Sequence, residues 1–506
     1  MTGAAMPRPP LPPLLRSILG YAPANLVPAL VAVGTVSTFT RLLPPDEFGR
    51  YALAQAVVLF GQALAFYALQ VSVTRFHERY ADDRRPGRLL ASAYWCYAAL
   101  AAGTALLFVA TMAAIRPGPA LAPALWLALP TLLLRGLVLV NLAAHRAAGR
   151  TGRYNLVECG QNLAGLLAAL GLVAGLGLGA AGLIAGMLAG SALVLLADLR
   201  TMARGAGPPD GAVLRELWGF GAPLVVAHGL GALTAYADRL FVERLLGPFA
   251  VGLYAAAYGV AERAVSLVLM GVTLGAYPLA VAALEREGPD AARRQLARNG
   301  VVLLALGLPA AVGVACTAPQ VAAVLVGPEY RAAVVGLMPW IAGLAFLRGI
   351  TAHYFDQALH LGRRTDLFLR TLTPAALLTV TLNPLLLSAM GLAGAVCAAL
   401  AAQAVTLAVT VAAGRRVFAV VIPAGQALRS AAAAAAMGAV LLAVPFPESA
   451  PGLAAAVAAG VLAYGAAAVA LDVAGARAWL LGVAAARRHL PARRPPPRLS
   501  EACDAG

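Results

Sequence analysis

The sequence predicts an all-α polytopic membrane protein of about 14 transmembrane helices, built as two parallel six-helix repeats followed by a C-terminal helical hairpin. Three observations predict it. The 506 residues are 61% apolar and only 12% charged, with a mean hydropathy of +0.80. A soluble domain runs roughly 45–50% apolar and about 25% charged, so a soluble enzyme is excluded. Charges fall in short clusters between apolar runs long enough to cross a bilayer. A segment near the N-terminus also returns later in the chain at an offset of 203 residues.

The first apolar run, 18–40, follows a Pro-rich N-terminus. It is long for a signal-peptide core and has no convincing cleavage site, so it counts as span 1. Spans 2 to 6 read at 51–73, 89–114, 121–142, 156–176 and 181–198. Spans 7 to 12 follow at 218–242, 250–280, 300–317, 333–355, 370–388 and 393–413, and spans 13 and 14 at 429–446 and 451–471. These group into an N-lobe (1–200), a C-lobe (201–414), an accessory hairpin (415–473) and a basic, Pro-rich tail (474–506). The loops are too short to hold a separate catalytic domain.

All 38 basic residues are arginine, against 22 acidic ones, a net charge of +16. Of these, 29 lie in the N-terminus, in the loops after even-numbered spans and in the tail. Five (Arg41, Arg50, Arg116, Arg244, Arg331) lie in the opposite loops, and four (Arg135, Arg239, Arg263, Arg348) inside spans. By the positive-inside rule both termini are cytoplasmic and the span count is even. The excess charge is thereby topological and implies no nucleic acid. Arg487, Arg488, Arg493, Arg494 and Arg498, among prolines, read as a disordered tail on an anionic leaflet. The five cysteines are scattered and the six histidines show no metal-ligand spacing, so no metal or cofactor is expected.

R-L-L-P-P-D-E-F-G-R-Y-A-L-A (41–54) recurs as R-L-L-G-P-F-A-V-G-L-Y-A-A-A (244–257), with eight of fourteen positions identical. Arg135-Gly136 and Gly149-Arg150 recur as Arg348-Gly349 and Gly362-Arg363, at an offset of 213. Spans 1–6 and 7–12 are therefore two copies of one unit. Because six is even, the copies enter the membrane in the same orientation, and a site is expected between them near the midplane.

R-L-L-P-P-D-E-F-G-R-Y after span 1, Y-A-D-R-L-F-V-E-R-L-L-G-P-F-A-V-G-L-Y-A-A-A-Y across spans 7 and 8, and H-L-G-R-R after span 10 resemble the polysaccharide-biosynthesis (Wzx-type) flippases of the multidrug/oligosaccharidyl-lipid/polysaccharide exporter superfamily. The resemblance implies a bacterial inner-membrane protein. It would move an undecaprenyl-diphosphate-linked oligosaccharide from the cytoplasmic to the outer leaflet by alternating access. Membrane lipids, and a polymerase and glycosyltransferases of the same pathway, would be its partners. H⁺, Na⁺ or the membrane potential would drive it, a choice the residues leave open. A lipid II flippase similar to MurJ and a MATE-like efflux antiporter for small cations are the alternatives within that superfamily. An integral-membrane glycan polymerase or glycosyltransferase is the third reading, against which the short loops count.

Charge at mid-bilayer is costly and needs a reason. Arg263, deep in span 8, offers a diphosphate a fork of donors that stays charged when desolvated. Glu262 either compensates it or takes a coupling proton; the plainer reading is that both are neutralised by packing. Asp238 and Arg239, with Glu243 one turn on, are either an outer gate or an interfacial ion pair. Arg41 either joins that rim or, as its twin Arg244 suggests, serves the repeat. Arg135 and Arg348 either form a cationic entrance or snorkel to the headgroups. Glu158 and Asp198, near span ends, are expected at the interface. Gln55, Gln62 and Gln70 on span 2 suit sugar hydroxyls or helix contacts. Gly182, Gly186 and Gly190 read as a close-packing face, and the G-x-G-x-x-G at 177–182 as a turn rather than a nucleotide loop. Asp82-Asp83, followed at once by Arg84-Arg85, reads as a solvated charge run.

Overall fold

A computed structural model describes residues 13–81, 87–362, 364 and 367–478. The Asp82–Arg85 run, Arg363 and the tail from Arg487 onward lie outside these residues. The described residues are helical nearly throughout, with no strand among them. In hydrocarbon no water satisfies backbone N–H and C=O groups, and a helix satisfies them within itself. Twelve helices are long and apolar enough to cross a membrane, or thirteen with the bent pair Pro45–Ala65 and Tyr67–Tyr80 taken as one span. The 77-residue helix Gly211–Glu287 counts once there but breaks at Gly247 into two arms, so fourteen crossings are present among the described residues.

Span 1 is Pro13–Leu42 and span 2 the bent pair. Spans 3 to 6 are Arg88–Ile115, Ala122–Ala147, Thr151–Leu170 and Gly179–Ala197. Spans 7 and 8 are the arms of Gly211–Glu287. Span 9 is Pro289–Cys316, and span 10 is Arg331–Ile350, continued through a π-helical turn to Leu361. Spans 11 to 14 are Leu367–Met390, Leu392–Val417, Ala424–Ala443 and Ala450–Leu471. Several helices outrun their apolar cores. Span 9 starts at Pro289 rather than near 300, because a proline at the first position and Asp290 in the first turn suit a helix start.

The loop expected between spans 1 and 2 shrinks to a corner at Pro44 (φ −67°, ψ 160°), with Pro45 opening span 2. The matching corner between spans 7 and 8 is Gly247 (φ 81°, ψ 174°), followed by Pro248. That left-handed φ suits only glycine, so the two copies turn the same corner by different means.

Just past these corners spans 2 and 8 cross with their backbones touching. A Cβ on Gly49 would collide with the carbonyl of Pro248, and a Cβ on Gly252 with the carbonyl of Pro45. The two contacts interchange under the 203-residue offset. A deeper contact is also duplicated: Gly136 makes room for the ring of Phe66, and Gly349 for the side chain of Leu269. Phe66 and Leu269 are fully buried and again 203 apart.

The crossing lies at the end of the molecule that carries few arginines, and other inter-lobe contacts close that end further. The Gly327 N–H donates to Thr40 Oγ1 at 3.0 Å, and the Tyr330 hydroxyl donates to the Leu43 carbonyl at 2.8 Å. At the arginine-rich end span 7 lies on span 2: Tyr80 donates to Glu216 at 2.9 Å and the Arg75 guanidinium sits 4.8 Å over the Phe220 ring. Spans 13 and 14 pack on span 9, where the Tyr464 hydroxyl donates to the Ala305 carbonyl at 2.5 Å.

Candidate functional site

On the arginine-rich side of the crossing lies a cavity of about 550 Å³, walled by spans 1, 2, 4, 5, 6, 7, 8 and 10. All four intramembrane arginines, Arg135, Arg239, Arg263 and Arg348, line it, together with Glu158 and Glu262. These residues come from both lobes and lie far apart in sequence. The duplicated Arg-Gly pair explains part of the convergence: the glycine seats the helix against Phe66 or Leu269, and the arginine beside it reaches the cavity.

The charges divide into two kinds. Arg239 Nη1 pairs with Asp238 at 3.1 Å and donates to the Ala235 carbonyl at 3.0 Å, and the guanidinium Cζ lies 5.2 Å from the centre of the Tyr258 ring. Asp238 sits buried behind it and also accepts the Tyr254 hydroxyl at 2.7 Å. Arg348 Nη1 pairs with Glu262 at 3.2 Å and Nη2 approaches the Thr234 carbonyl at 3.4 Å. Arg135 and Arg263, in contrast, have no carboxylate within ion-pair distance among the described residues. The Arg135 Nε is buried without a hydrogen-bond partner. Guanidinium forks that line a cavity without an acid partner are donors open to an anion.

Several expectations change. Glu262 does not compensate Arg263; it holds Arg348, from the facing helix, because its side chain points across to span 10. Arg239 does not take Glu243 but its own neighbour Asp238, which is buried, a stronger attraction than a half-buried residue one turn away. Glu158 is not interfacial; it lines the cavity, with the Asn162 amide 3.4 Å from its Oε1. Asp198 lies at a span end as expected, just past span 6, but it is buried in the protein there and accepts from Asn141 (2.9 Å), His145 (2.9 Å), Arg153 (3.0 Å) and Thr201 (3.0 Å). Arg41 stays outside the cavity, bonded to Ser37 and to the Val324 carbonyl at the sparse-arginine end. Of the span 2 glutamines only Gln55 lines the cavity, donating to the Tyr51 hydroxyl at 2.8 Å.

The polar and aromatic part of the wall, Tyr51, Gln161, Asn162, Tyr236 and Tyr258, is largely missing from the sequence reading. One signal was present: Tyr51 and Tyr254 are repeat mates, and Tyr258 and Glu262 are one helical turn apart on span 8. Asp238 faces instead a small second cavity of about 50 Å³ with Thr379, Asn383 and Gln403.

Among family models, the one described as polysaccharide biosynthesis protein matches residues 38–335. No curated protein matches the chain significantly. Among solved structures, the chain is similar to the lipid II flippase MurJ in an inward closed conformation, at 12% identity, TM-score 0.68, covering 90% of this chain and 98% of that one. A multidrug resistance MATE family transporter in an inward-facing conformation follows at 14% identity and TM-score 0.66, covering 79% and 97%. A eukaryotic MATE transporter gives 13% identity and TM-score 0.52, covering 83% and 97%. At such identities the likeness is one of fold: the chain has the all-helical transporter architecture shared by MurJ and the MATE proteins.

Proposed function

The chain belongs to the polysaccharide biosynthesis protein family, and from that premise we propose that it flips an undecaprenyl-diphosphate-linked oligosaccharide from the cytoplasmic to the outer leaflet by alternating access, without catalysing a reaction. The observation that carries the reading is the convergence of four arginines from both lobes on one cavity, two of them without a carboxylate partner. A small organic cation gains nothing from such a site, whereas a lipid diphosphate supplies the missing negative charge.

Arg263 and Arg135 receive the diphosphate, one from each lobe. Binding draws the lobes onto a common anion. Arg239 and Arg348, already held by Asp238 and Glu262, keep the rest of the field positive without trapping the ligand. Gln55, Gln161, Asn162 and the tyrosines meet sugar hydroxyls by hydrogen bonding and ring stacking. The prenyl chain stays in the lipid, so only the head group crosses the polar cavity. The 29 arginines on one side support an arrangement with both termini cytoplasmic, and with it a cavity reached from the cytoplasmic side.

Arg263→Ala tests this. In cells that depend on this protein, glycan export is expected to fall at least about tenfold, the loss of one charge-assisted contact of roughly 1.5–3 kcal/mol, while the amount of protein in the membrane stays unchanged. Arg263→Lys, which keeps the charge but not the fork, is expected to retain part of the activity. Wild-type export by the alanine variant would remove Arg263 from the diphosphate site.

A further inference from the structure

A third cavity, of about 740 Å³, opens at the arginine-rich end where span 4 ends, span 5 begins and span 6 runs into Leu199–Arg204, and shares no lining residue with the central one. Four arginines, Arg150, Arg153, Arg200 and Arg204, line it, and no carboxylate does. The nearest acid, Asp198, is saturated by donors from Asn141, His145, Arg153 and Thr201. Those bonds fix Arg153, whose other end donates to the Ala197 carbonyl. Arg150, Arg200 and Arg204 have no carboxylate within ion-pair distance among the described residues. Three guanidinium groups around one concavity repel one another until an anion joins them, and their forks match the oxygens of a phosphate.

The rim adds a second, independent feature. Leu196 and Leu199 line the same cavity yet are 64% and 54% exposed, and Leu193, one turn earlier, is 55% exposed. An apolar ridge therefore descends the lipid-facing side of span 6 from a basic pocket at its end. We propose that this pocket binds a phosphate group, supplied as the head group of an anionic phospholipid of the adjoining leaflet whose acyl chains lie along these leucines. Recognition rests on the head group's charge, so phosphatidylglycerol binds and zwitterionic phosphatidylcholine does not. The site needs nothing from the central cavity and stands or falls apart from the transport reading.

The test uses the full-length protein in phosphatidylcholine nanodiscs, titrated with phosphatidylglycerol and followed by native mass spectrometry. Each basic side chain at an anionic membrane surface is worth about fivefold in affinity, so Arg150→Gln/Arg200→Gln/Arg204→Gln is expected to bind roughly a hundredfold more weakly than wild type. The corresponding triple lysine variant is expected to keep most of the affinity, and Arg263→Gln all of it. Arg200→Gln alone, expected to lose about fivefold, serves if the triple variant misfolds. Equal binding by the wild type and the glutamine variants would overturn the site. Binding of inorganic phosphate with no preference for phosphatidylglycerol over phosphatidylcholine would overturn the lipid as its source.

Discussion

Asp198 illustrates how much a single buried carboxylate can hold in place. Four donors from span 4, span 5 and the turn after span 6 converge on it, and His145 and Asp198 are both 1% exposed. Burial by itself pushes the carboxyl up, but the hydrogen bonds from His145, Arg153 and Thr201 outweigh it and hold Asp198 below the usual carboxylate range. A carboxyl held low in the folded state stabilises the fold fully above its unfolded value, and that contribution disappears as pH falls through the folded one. Asp198→Asn is therefore expected to cost about 3 kcal/mol at neutral pH, read as a lower unfolding temperature in detergent. The gap between variant and wild type should close as the sample is acidified below about pH 4. A gap independent of pH would mean that Asp198 acts through packing and not through its charge. Asp210, bonded to Arg88 and to the N–H groups of Val213 and Ala212, is held down to about 2 and belongs to the same acid-labile set.

At the scale of elements, the repeat made the fold legible. Conserving Pro, Gly and Tyr at one offset within a chain rich in Ala and Leu is informative, and the structure supplies the reason: Gly49 and Gly252 are where spans 2 and 8 touch backbone to backbone. Gly252→Ala and Gly49→Ala are each expected to force the crossing apart, since the added carbon meets a carbonyl and not a movable side chain. The cost should be about 1–3 kcal/mol of overpacking, together with increased alkylation of a cysteine placed at Leu43. Gly343→Ala, with open space around it, is the control and should change neither. Unchanged labelling in both crossing variants would show that the corner, not the crossing, seals this end. What the sequence did not disclose is local geometry. The 43° bend in span 2 falls at Phe66, with neither Gly nor Pro to announce it, because buried packing of Phe66 on Tyr97 and Gly136 sets it. Nor could spacing along one helix reveal that Glu262 would choose Arg348 on span 10 over its neighbour, since such pairing is decided by the facing helix.

For the whole molecule, the two ends are built differently, and that difference bears on how it moves. The sparse-arginine end is closed by backbone contacts, Gly49 against Pro248 and Gly252 against Pro45, and by hydroxyl-to-backbone bonds of Thr40 with Gly327 and Tyr330 with Leu43. The arginine-rich end is joined through side chains, among them Tyr80 and Arg79 with Glu216, at 2.9 and 3.3 Å. Exposed ion pairs of that kind contribute little each and exchange readily with water. The central cavity lies between the two, so a substrate bound by Arg135 and Arg263 can pass only if the closed end parts. Alternating access then predicts that fixing the closed end stops transport even with every cavity residue intact. Leu43→Cys and Tyr330→Cys, introduced where the Tyr330 hydroxyl meets the Leu43 carbonyl and with the native cysteines replaced, can be joined by a short bismaleimide. Cross-linked protein is expected to lose glycan export nearly completely, whereas each single-cysteine variant treated the same way keeps it. The cross-linked protein should still bind phosphatidylglycerol at the Arg150–Arg204 pocket, which is built from the ends of spans 4, 5 and 6 and the turn after span 6 and takes no residue from spans 7 to 14. Export that survives full cross-linking would mean the head group leaves by a path other than the crossing of spans 2 and 8, and the two-lobe rocking scheme would have to be abandoned.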